Sequence, residues 1–308
     1  MSSETPTAAP TTGPAGAAPA PGVIHDIGYR HYAGDRRGRG YIRRSLFVDG
    51  LRGAYGLGRS GRSKIMPMLL LAVTCLPAGA IVAITAVTGS EELIAGYPSY
   101  LLNLQLVVSI FVAAQAPVLI SRDLRFRVTS LYFSRPLRRL DYVVGKFAAL
   151  VCALFILTAA PLTIMFVGAL VVGLPVSEQI PDYLRAVTGA ALLSLILAGI
   201  GAVIAAVTPR RGLAVAAVVA VLVVLSGVQA VAQGIAAEEG GGPGIAYLSL
   251  LSPYTLVEGI QASLLGASSP LPTPPGMAGT AIFCLAAMVL IGGCFGALVL
   301  RYRSVSVS

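Results

Sequence analysis

The stretch 121-SRDLRFRVTSLYFSRPLRRLDYVVGK-146 lies between two long apolar runs and carries seven basic residues against two acidic ones. Basic short loops of membrane proteins face the cytoplasm, so this stretch predicts the side of the membrane on which every other loop lies. Leu124, Val128 and Leu131 recur at i, i+4 and i+7, with most of the arginines off that stripe. We therefore expect a short amphipathic helix over 121–135. Pro136 cannot continue it, and a second helix is expected to start near Leu140.

The composition places the chain among membrane proteins. Of the 308 residues, 56% are hydrophobic and 11% are charged, and the mean hydropathy is +0.82. These values exclude an ordinary soluble domain. The net charge of +9 does not predict a nucleic-acid partner, because every Lys and Arg except Arg185 falls in a segment expected to face the cytoplasm.

The apolar runs predict an all-α integral membrane protein with six spans, since about 20 apolar residues cross the hydrocarbon core. We expect these spans at 65–87, 100–120, 147–173, 185–207, 213–236 and 277–300. The connections between them alternate between basic and acidic. Both termini are therefore predicted to lie in the cytoplasm.

The segments outside the spans are shorter. Residues 1–22 are rich in Ala, Pro, Thr and Gly without apolar periodicity, which predicts a disordered tail. Residues 23–64 are basic, 65–303 form the transmembrane domain, and 304–308 form a C-terminal tail. Within the basic segment, a helix lying on the inner membrane surface is expected, with Gly50 and Gly53 weakening it. Its apolar face consists of Phe47, Val48, Leu51, Ala54 and Tyr55.

Residues 245–266 are apolar enough to form a seventh span, but Pro253 and Glu258 interrupt them. A seventh crossing would also place Arg301 and Arg303 outside, against the distribution of positive charge. We therefore predict a re-entrant or surface-lying helical hairpin on the outer side, between the fifth and sixth spans.

Enzymatic chemistry has little support in the residues. No Ser-His-Asp set or HExxH motif occurs, and the four cysteines lie inside apolar runs without CxxC spacing, which argues against a metal site or a disulfide framework. Residues 56–63 nearly spell a phosphate-binding loop, but Arg62 replaces its lysine. We expect no catalytic residue and no cofactor on this chain, so any ATP site must lie on another chain.

The polar groups inside the predicted spans are amides. Asn103 and Gln105 lie in the second span, and Gln229 and Gln233 share one face of the fifth. Buried amides in lipid point into a bundle or a cavity. Two interpretations stay open: hydrogen bonding between helices, or contact with a transported molecule.

The basic stretch resembles the second cytoplasmic-side loop of the permease subunits of ABC-2 type ABC transporters. That loop has a short basic helix, then Arg-Pro, a basic-hydrophobic-acidic-Tyr run, two apolar residues and Gly-Lys at the start of the third span. Residues 27–34 also look similar to actinobacterial members, and the segments 251–254 and 257–260 resemble the family's outer hairpin between spans five and six. The corresponding loop-motif residues are Arg135, Pro136, Arg139, Asp141, Tyr142, Gly145 and Lys146.

The resemblance implies a function as well as a fold. It implies that the helix before Pro136 is a coupling helix seated in a groove of an ATP-hydrolysing subunit, and that the second and fifth spans line the route. It further implies two such ATPase subunits that carry ATP and Mg, a second permease copy or homologue, a hydrophobic or amphipathic substrate, and export across a bacterial plasma membrane. The expected coupling residues are Arg122, Asp123, Leu124, Arg125, Phe126, Arg127, Val128 and Leu131.

Three other interpretations remain. The basic loop alone is compatible with a plain cytoplasmic linker. The chain could be an ion-coupled secondary transporter, although its predicted spans hold no carboxylate away from their edges. It could also be a non-transporting anchor or sensor that docks a partner through the loop.

Overall fold

The computed structural model describes residues 38–58, 60–121, 123, 138–208, 210–238, 240 and 242–304. The chain divides into two units, Met1–Arg37 and Gly38–Ser308, and the first lies outside the described residues. So does most of the predicted coupling helix and its Arg-Pro end, which therefore stay predictions: Arg122, Leu124, Arg125, Phe126, Arg127, Val128, Leu131, Arg135 and Pro136.

The described part of the chain is helical and contains no strand, which confirms the predicted all-α class. The described residues form nine α-helices, together with a π-helix at Pro117–Ser121 and a 3-10 helix at Pro243–Leu251. The α-helices are α1 Arg39–Ala54, α2 Gly61–Thr88, α3 Tyr97–Asn103, α4 Gln105–Ala116, α5 Arg139–Val172, α6 Val176–Val207, α7 Arg211–Glu238, α8 Pro253–Leu265 and α9 Gly276–Ser304.

Five of these helices, α2, α5, α6, α7 and α9, are long and apolar enough to cross a membrane. They coincide with five of the predicted spans, and the chain is a multi-pass membrane protein by this criterion. A sixth span results only if α3, α4 and the π-helix are counted together. α5 begins at Arg139, one residue before the predicted start near Leu140, so a polar helical stretch precedes the span predicted at 147–173.

The predicted second span differs from a continuous helix. α3 meets the following helical segment at an angle of 57°, and the break lies at Leu104, whose amide is shared between the carbonyl groups of Tyr100 and Leu101. Further along, Pro117 has no amide hydrogen for the helical ladder, and the helix continues as a π-helix from that residue. Hydropathy alone does not reveal this break, because it does not report backbone geometry.

α5 and α6 form the centre of the bundle. They pack against each other, α1 and α2 lie against α5, and α9 lies against α6. In α6, 61% of the most apolar stretch is buried, against 17% in α2 and α9. The apolar surface of α2 and α9 is therefore left for lipid or for another protein chain.

α1 packs along the beginning of α5 through residues that overlap only partly with the predicted apolar face, of which Ala54 and Tyr55 are buried. Leu46, Gly50 and Ala54 are the buried residues, whereas Phe47 and Val48 are only half-buried. Gly50 was expected to weaken the helix. The structure shows why glycine is present at this position. A Cβ atom at Gly50 would lie 2.7 Å from Cβ of Ala149, so glycine permits the close approach of α1 to α5.

The stretch that nearly spells a phosphate-binding loop connects α1 to α2. Gly56 adopts a positive φ of 66°, and the hydroxyl of Ser63 donates to the carbonyl of Ser60 at 2.8 Å and more weakly to that of Gly56 at 3.3 Å. The local sequence therefore serves to turn the chain into the first long apolar helix.

Candidate functional site

The two ends of the basic loop meet in a compact polar cluster, which we call the loop junction: Asp123, Tyr142 and Lys146. Nζ of Lys146 lies 2.8 Å from Oδ2 of Asp123, and the Tyr142 hydroxyl donates to the same oxygen at 2.5 Å. Asp123 stands at the start of the loop, whereas the other two residues lie in the first turns of α5. These contacts fasten the beginning of the loop to the helix that follows it.

The spacing along α5 explains why both residues reach one carboxylate. Tyr142 and Lys146 are at i and i+4, so their side chains lie on the same helical face. The tyrosine is fully buried, and its ring packs on that of Tyr302 in α9 with centroids 5.4 Å apart. The side chains of Lys146 and Asp123 are only 9% and 15% exposed. An ion pair so well shielded from water becomes costly once either partner is removed.

A second ionic contact surrounds Asp141. Arg39 and Arg43 approach its carboxylate at 3.7 and 3.9 Å, but both arginine side chains are about half exposed, at 49% and 54%. Such surface pairs contribute up to about 1 kcal/mol each. Their main effect is on geometry, because they orient α1 relative to the first turn of α5.

Two further contacts complete this end of the bundle. A Cβ atom at Gly145 would lie 3.3 Å from Cβ of Leu46, so the glycine of the loop motif is also a contact point for α1. Arg139 donates to the backbone carbonyl of Arg303, at the end of α9, at 2.7 Å. Five residues of the predicted loop motif (Arg139, Asp141, Tyr142, Gly145 and Lys146) therefore connect α5 to α1, α9 and the start of the loop.

The four predicted amides occupy different environments. Asn103 is exposed and Gln105 is half-buried, and they stand on either side of the bend at Leu104. Gln229 is buried in α7, and Nε2 of Gln233 donates to Oγ of Ser249 in the 3-10 helix at 2.9 Å. Although α4 packs against α7, no hydrogen bond joins any two of these four amides in the described structure.

The predicted outer hairpin is made of the 3-10 helix and α8, with Pro253 in the first turn of α8. Neither helix is among those long enough to cross a membrane. α8 is buried continuously from Pro253 to Gln261. It contacts α6 where Gln261 donates to the carbonyl of Arg185 at 2.9 Å, and α9 where a Cβ atom at Gly259 would lie 2.5 Å from the Phe283 ring.

Beside this hairpin is an acidic cleft of about 290 Å³. Glu92, Glu178 and Asp182 contribute three carboxylates to its lining, and Arg185, paired with Asp182 at 2.7 Å, contributes one cation. In the sequence, these acids indicated only which side of the membrane each loop faces. Their convergence depends on the packing of α3 against α6, which no local pattern contains.

Sequence reasoning also missed the partners of the loop motif. Tyr302, Arg39 and Arg43 were treated only as parts of basic segments, yet they contact Tyr142 and Asp141. The one available signal was the i, i+4 spacing of the two arginines on a helical segment. Among the described residues no group of three or more His, Cys, Asp or Glu side chains could hold a metal ion. Comparison with known proteins finds no matching family model and no matching curated protein.

Proposed function

We propose that this chain is the membrane-spanning permease subunit of an ATP-driven exporter of the ABC-2 type. In this proposal, six spans with both termini in the cytoplasm cross a bacterial plasma membrane. Two chains, identical or homologous, form the translocation path, and two separate ATPase subunits bind ATP and Mg. The substrate is a hydrophobic or amphipathic molecule.

The observation that carries the proposal is the loop junction. A loop transmits force to a span only if its end is fixed to that span, because a slack connection would absorb the movement. Asp123 is held at 2.8 Å by Lys146 and at 2.5 Å by Tyr142, so displacement of the segment that begins there pulls directly on α5. The resemblance of 121–146 to the ABC-2 coupling loop supports the same interpretation.

The proposed mechanism follows from these connections. Closure of the ATPase pair on ATP pushes the predicted helix 121–135, and the loop junction passes the displacement to α5. α1 moves with it, since Gly50 and Gly145 bring the two helices into direct contact. α6, which packs along α5, carries the movement to the remaining spans. Asn103, Gln105, Gln229 and Gln233 are the polar positions proposed to contact substrate along the second and fifth spans.

Co-purification tests the partner. The chain is purified from its native membrane at gentle detergent concentrations, and the captured proteins are assayed for ATPase activity and identified. We expect an ATP-binding subunit in a 1:1 ratio with the permease chains, that is, with this chain and any homologous partner counted together. The double variant Arg125→Glu/Arg127→Glu should lose that subunit, whereas Arg52→Glu, an exposed position on α1, should retain it.

Two results would assign a different function. Transport driven by an ion gradient with no ATPase bound would identify an ion-coupled transporter. An ATPase that binds the chain but whose hydrolysis never depends on substrate would identify an anchor or sensor subunit.

A further inference from the structure

Glu258 of α8 is a buried carboxyl group with an incomplete set of partners. The residue is only 3% exposed. Its Oε1 accepts a hydrogen bond from the hydroxyl of Ser269 at 2.7 Å, whereas Oε2 is buried and has no hydrogen-bond partner in the described structure. A carboxylate in such a place is unfavourable, because burial removes the water that stabilises its charge.

The surroundings of Glu258 offer space but no compensating charge. A cavity of about 10 Å³ lies between α3, α6 and α8, which is close to the smallest volume that holds one water molecule. Apart from Glu258, its polar lining consists of Tyr254 and Gln261. The remaining lining is apolar: Pro98, Leu101, Leu102, Leu193 and Val257.

In the described structure, no ion pair joins Glu258 to a cation of the elements packed against α8. α3 and α6 present only Pro98, Leu101, Leu102 and Leu193 to the cavity. α9 contributes Phe283, which contacts Gly259. α7 contributes the hydroxyl of Ser226, bonded to Ser252, and the 3-10 helix contributes Tyr247, which packs on Phe283.

Two titratable groups close to the hairpin are already engaged. The Tyr254 hydroxyl shares a hydrogen bond of 2.6 Å with Ser109. The guanidinium of Arg185 pairs with Asp182 in the acidic cleft, and only its backbone carbonyl bonds to the hairpin, through Gln261. No charged group other than Glu258 itself lines the cavity among the described residues.

We propose that Glu258 is a proton-binding site: its carboxyl group holds a proton on Oε2 while α8 is docked in the bundle, and it releases that proton when the hairpin loosens. On release, the Oε2–H bond breaks and the proton passes to water in the cavity. On docking, the proton returns by the reverse route. Pro98 lines both this cavity and the acidic cleft, so the two spaces are adjacent in the fold. The site does not depend on the proposed transport function.

The pH range follows from the titration of this one group. Burial raises the pKa of Glu258 from its ordinary 4.5 to about 7, and the Ser269 hydrogen bond opposes part of that rise. Below about pH 4.5 the carboxyl is neutral whether α8 is docked or loose. As pH rises toward 7 the loose state loses its proton first, and docking weakens progressively. Above pH 7 the docked state must also carry a buried charge.

Infrared difference spectroscopy on the full chain in lipid nanodiscs tests the site directly. A protonated carboxyl group gives its own carbonyl stretching band, separate from that of carboxylate. We expect one such band to disappear with a midpoint near pH 7 in the wild type, to be missing in Glu258→Gln, and to remain in Glu92→Gln, which removes an exposed acid of the cleft. A band that persists in Glu258→Gln, or a midpoint at the ordinary value of 4.5, would overturn the proposal.

Hydrogen exchange of the α8 amides measures the consequence for the hairpin. After correction for intrinsic exchange rates, protection of residues 253–265 should fall about tenfold between pH 6 and pH 8, as a shift of the pKa from 4.5 to about 7 requires. Glu258→Gln should show no such fall. Equal protection at both pH values in the wild type would contradict the coupling of the proton to docking.

Ser269→Ala gives a second variant that keeps the carboxyl group. Removing the donor to Oε1 destabilises the charged form, so the midpoint should move above pH 7. A midpoint that stays the same or falls would show that the titrating group is not Glu258.

Discussion

Gly50 of α1 lies so close to Ala149 of α5 that a Cβ atom placed on the glycine would be 2.7 Å from the Cβ of the alanine. The backbone of each helix fixes the position of its Cβ atom, so neither atom can move away unless its helix moves. This contact fixes α1 along the segment of α5 that carries the loop junction, and it makes the position sensitive to a single methyl group.

Gly50→Ala should therefore destabilise the protein even though alanine favours helix more than glycine does. Overpacking costs about 1–3 kcal/mol, which exceeds the gain of roughly 1 kcal/mol in helix propensity. SDS titration in mixed micelles measures the free energy of unfolding. Gly40→Ala is the matched control, because no atom lies within 4 Å of a Cβ atom there. Adding Ala149→Gly to Gly50→Ala should restore stability, and a Gly50→Ala variant as stable as Gly40→Ala would refute the contact.

Lys146→Met should lower the free energy of unfolding more than loss of an exposed ion pair of similar length does. It leaves the Asp123 carboxylate, 15% exposed, with only the Tyr142 hydrogen bond among the described contacts of the loop junction. A shielded charge that has lost its ionic partner costs about 3 kcal/mol or more. Arg185→Met breaks the ion pair of 2.7 Å with Asp182, in which the two side chains are 36% and 51% exposed. We therefore expect the free energy of unfolding to fall by less than about 1 kcal/mol.

The double variant Lys146→Met/Asp123→Asn separates this cause from poor packing of the new methionine. Because it also removes the stranded charge, it should recover part of the stability lost in Lys146→Met. If the losses in unfolding free energy of Lys146→Met and Asp123→Asn simply add in the double variant, the two residues do not interact. In the proposed complex, Lys146→Met alone should leave ATP hydrolysis by the ATPase subunits in place while lowering transport.

Gly259→Ala should loosen the hairpin from α9. The new Cβ atom would lie 2.5 Å from Cε1 and 2.8 Å from Cδ1 of Phe283, so the ring or α8 must move. We expect faster hydrogen exchange in residues 253–265. Gly293→Ala in α9, where a Cβ atom meets nothing within 4 Å, should leave that exchange unchanged. Phe283→Leu combined with Gly259→Ala should return it toward the wild-type rate, and unchanged exchange in Gly259→Ala would contradict the docking geometry.

Gln233 and Ser249 should be energetically coupled through their hydrogen bond of 2.9 Å. A double-mutant cycle with Gln233→Leu and Ser249→Ala isolates the pair. Hydrogen bonds between helices in membranes contribute about 0.6 kcal/mol, with a maximum near 1.7, so a coupling of that size is expected. Zero coupling combined with impaired transport in Gln233→Leu would favour the substrate-contact interpretation of this amide.

The spans and the polar ends of the loops were predictable because they depend on local composition. An apolar run of sufficient length predicts a membrane-crossing helix wherever it packs, and α2, α5, α6, α7 and α9 all lie where hydropathy predicts them. The break at Leu104 was not predictable in the same way. The run around it passes as one apolar span by composition even though Asn103 and Gln105 flank Leu104, and the bend depends on backbone hydrogen bonds.

The candidate site was likewise predictable only where it depends on residues that are close in the chain. The sequence alone determined that Asp141, Tyr142, Gly145 and Lys146 stand at the start of a helix that follows a basic loop, since neighbours in the chain are neighbours in a helix. Only the tertiary structure decided that Lys146 pairs with Asp123 and that Glu258 is enclosed with one oxygen unpaired. Those facts depend on which helices pack together, and packing joins residues that are distant in the chain through contacts that no short pattern encodes.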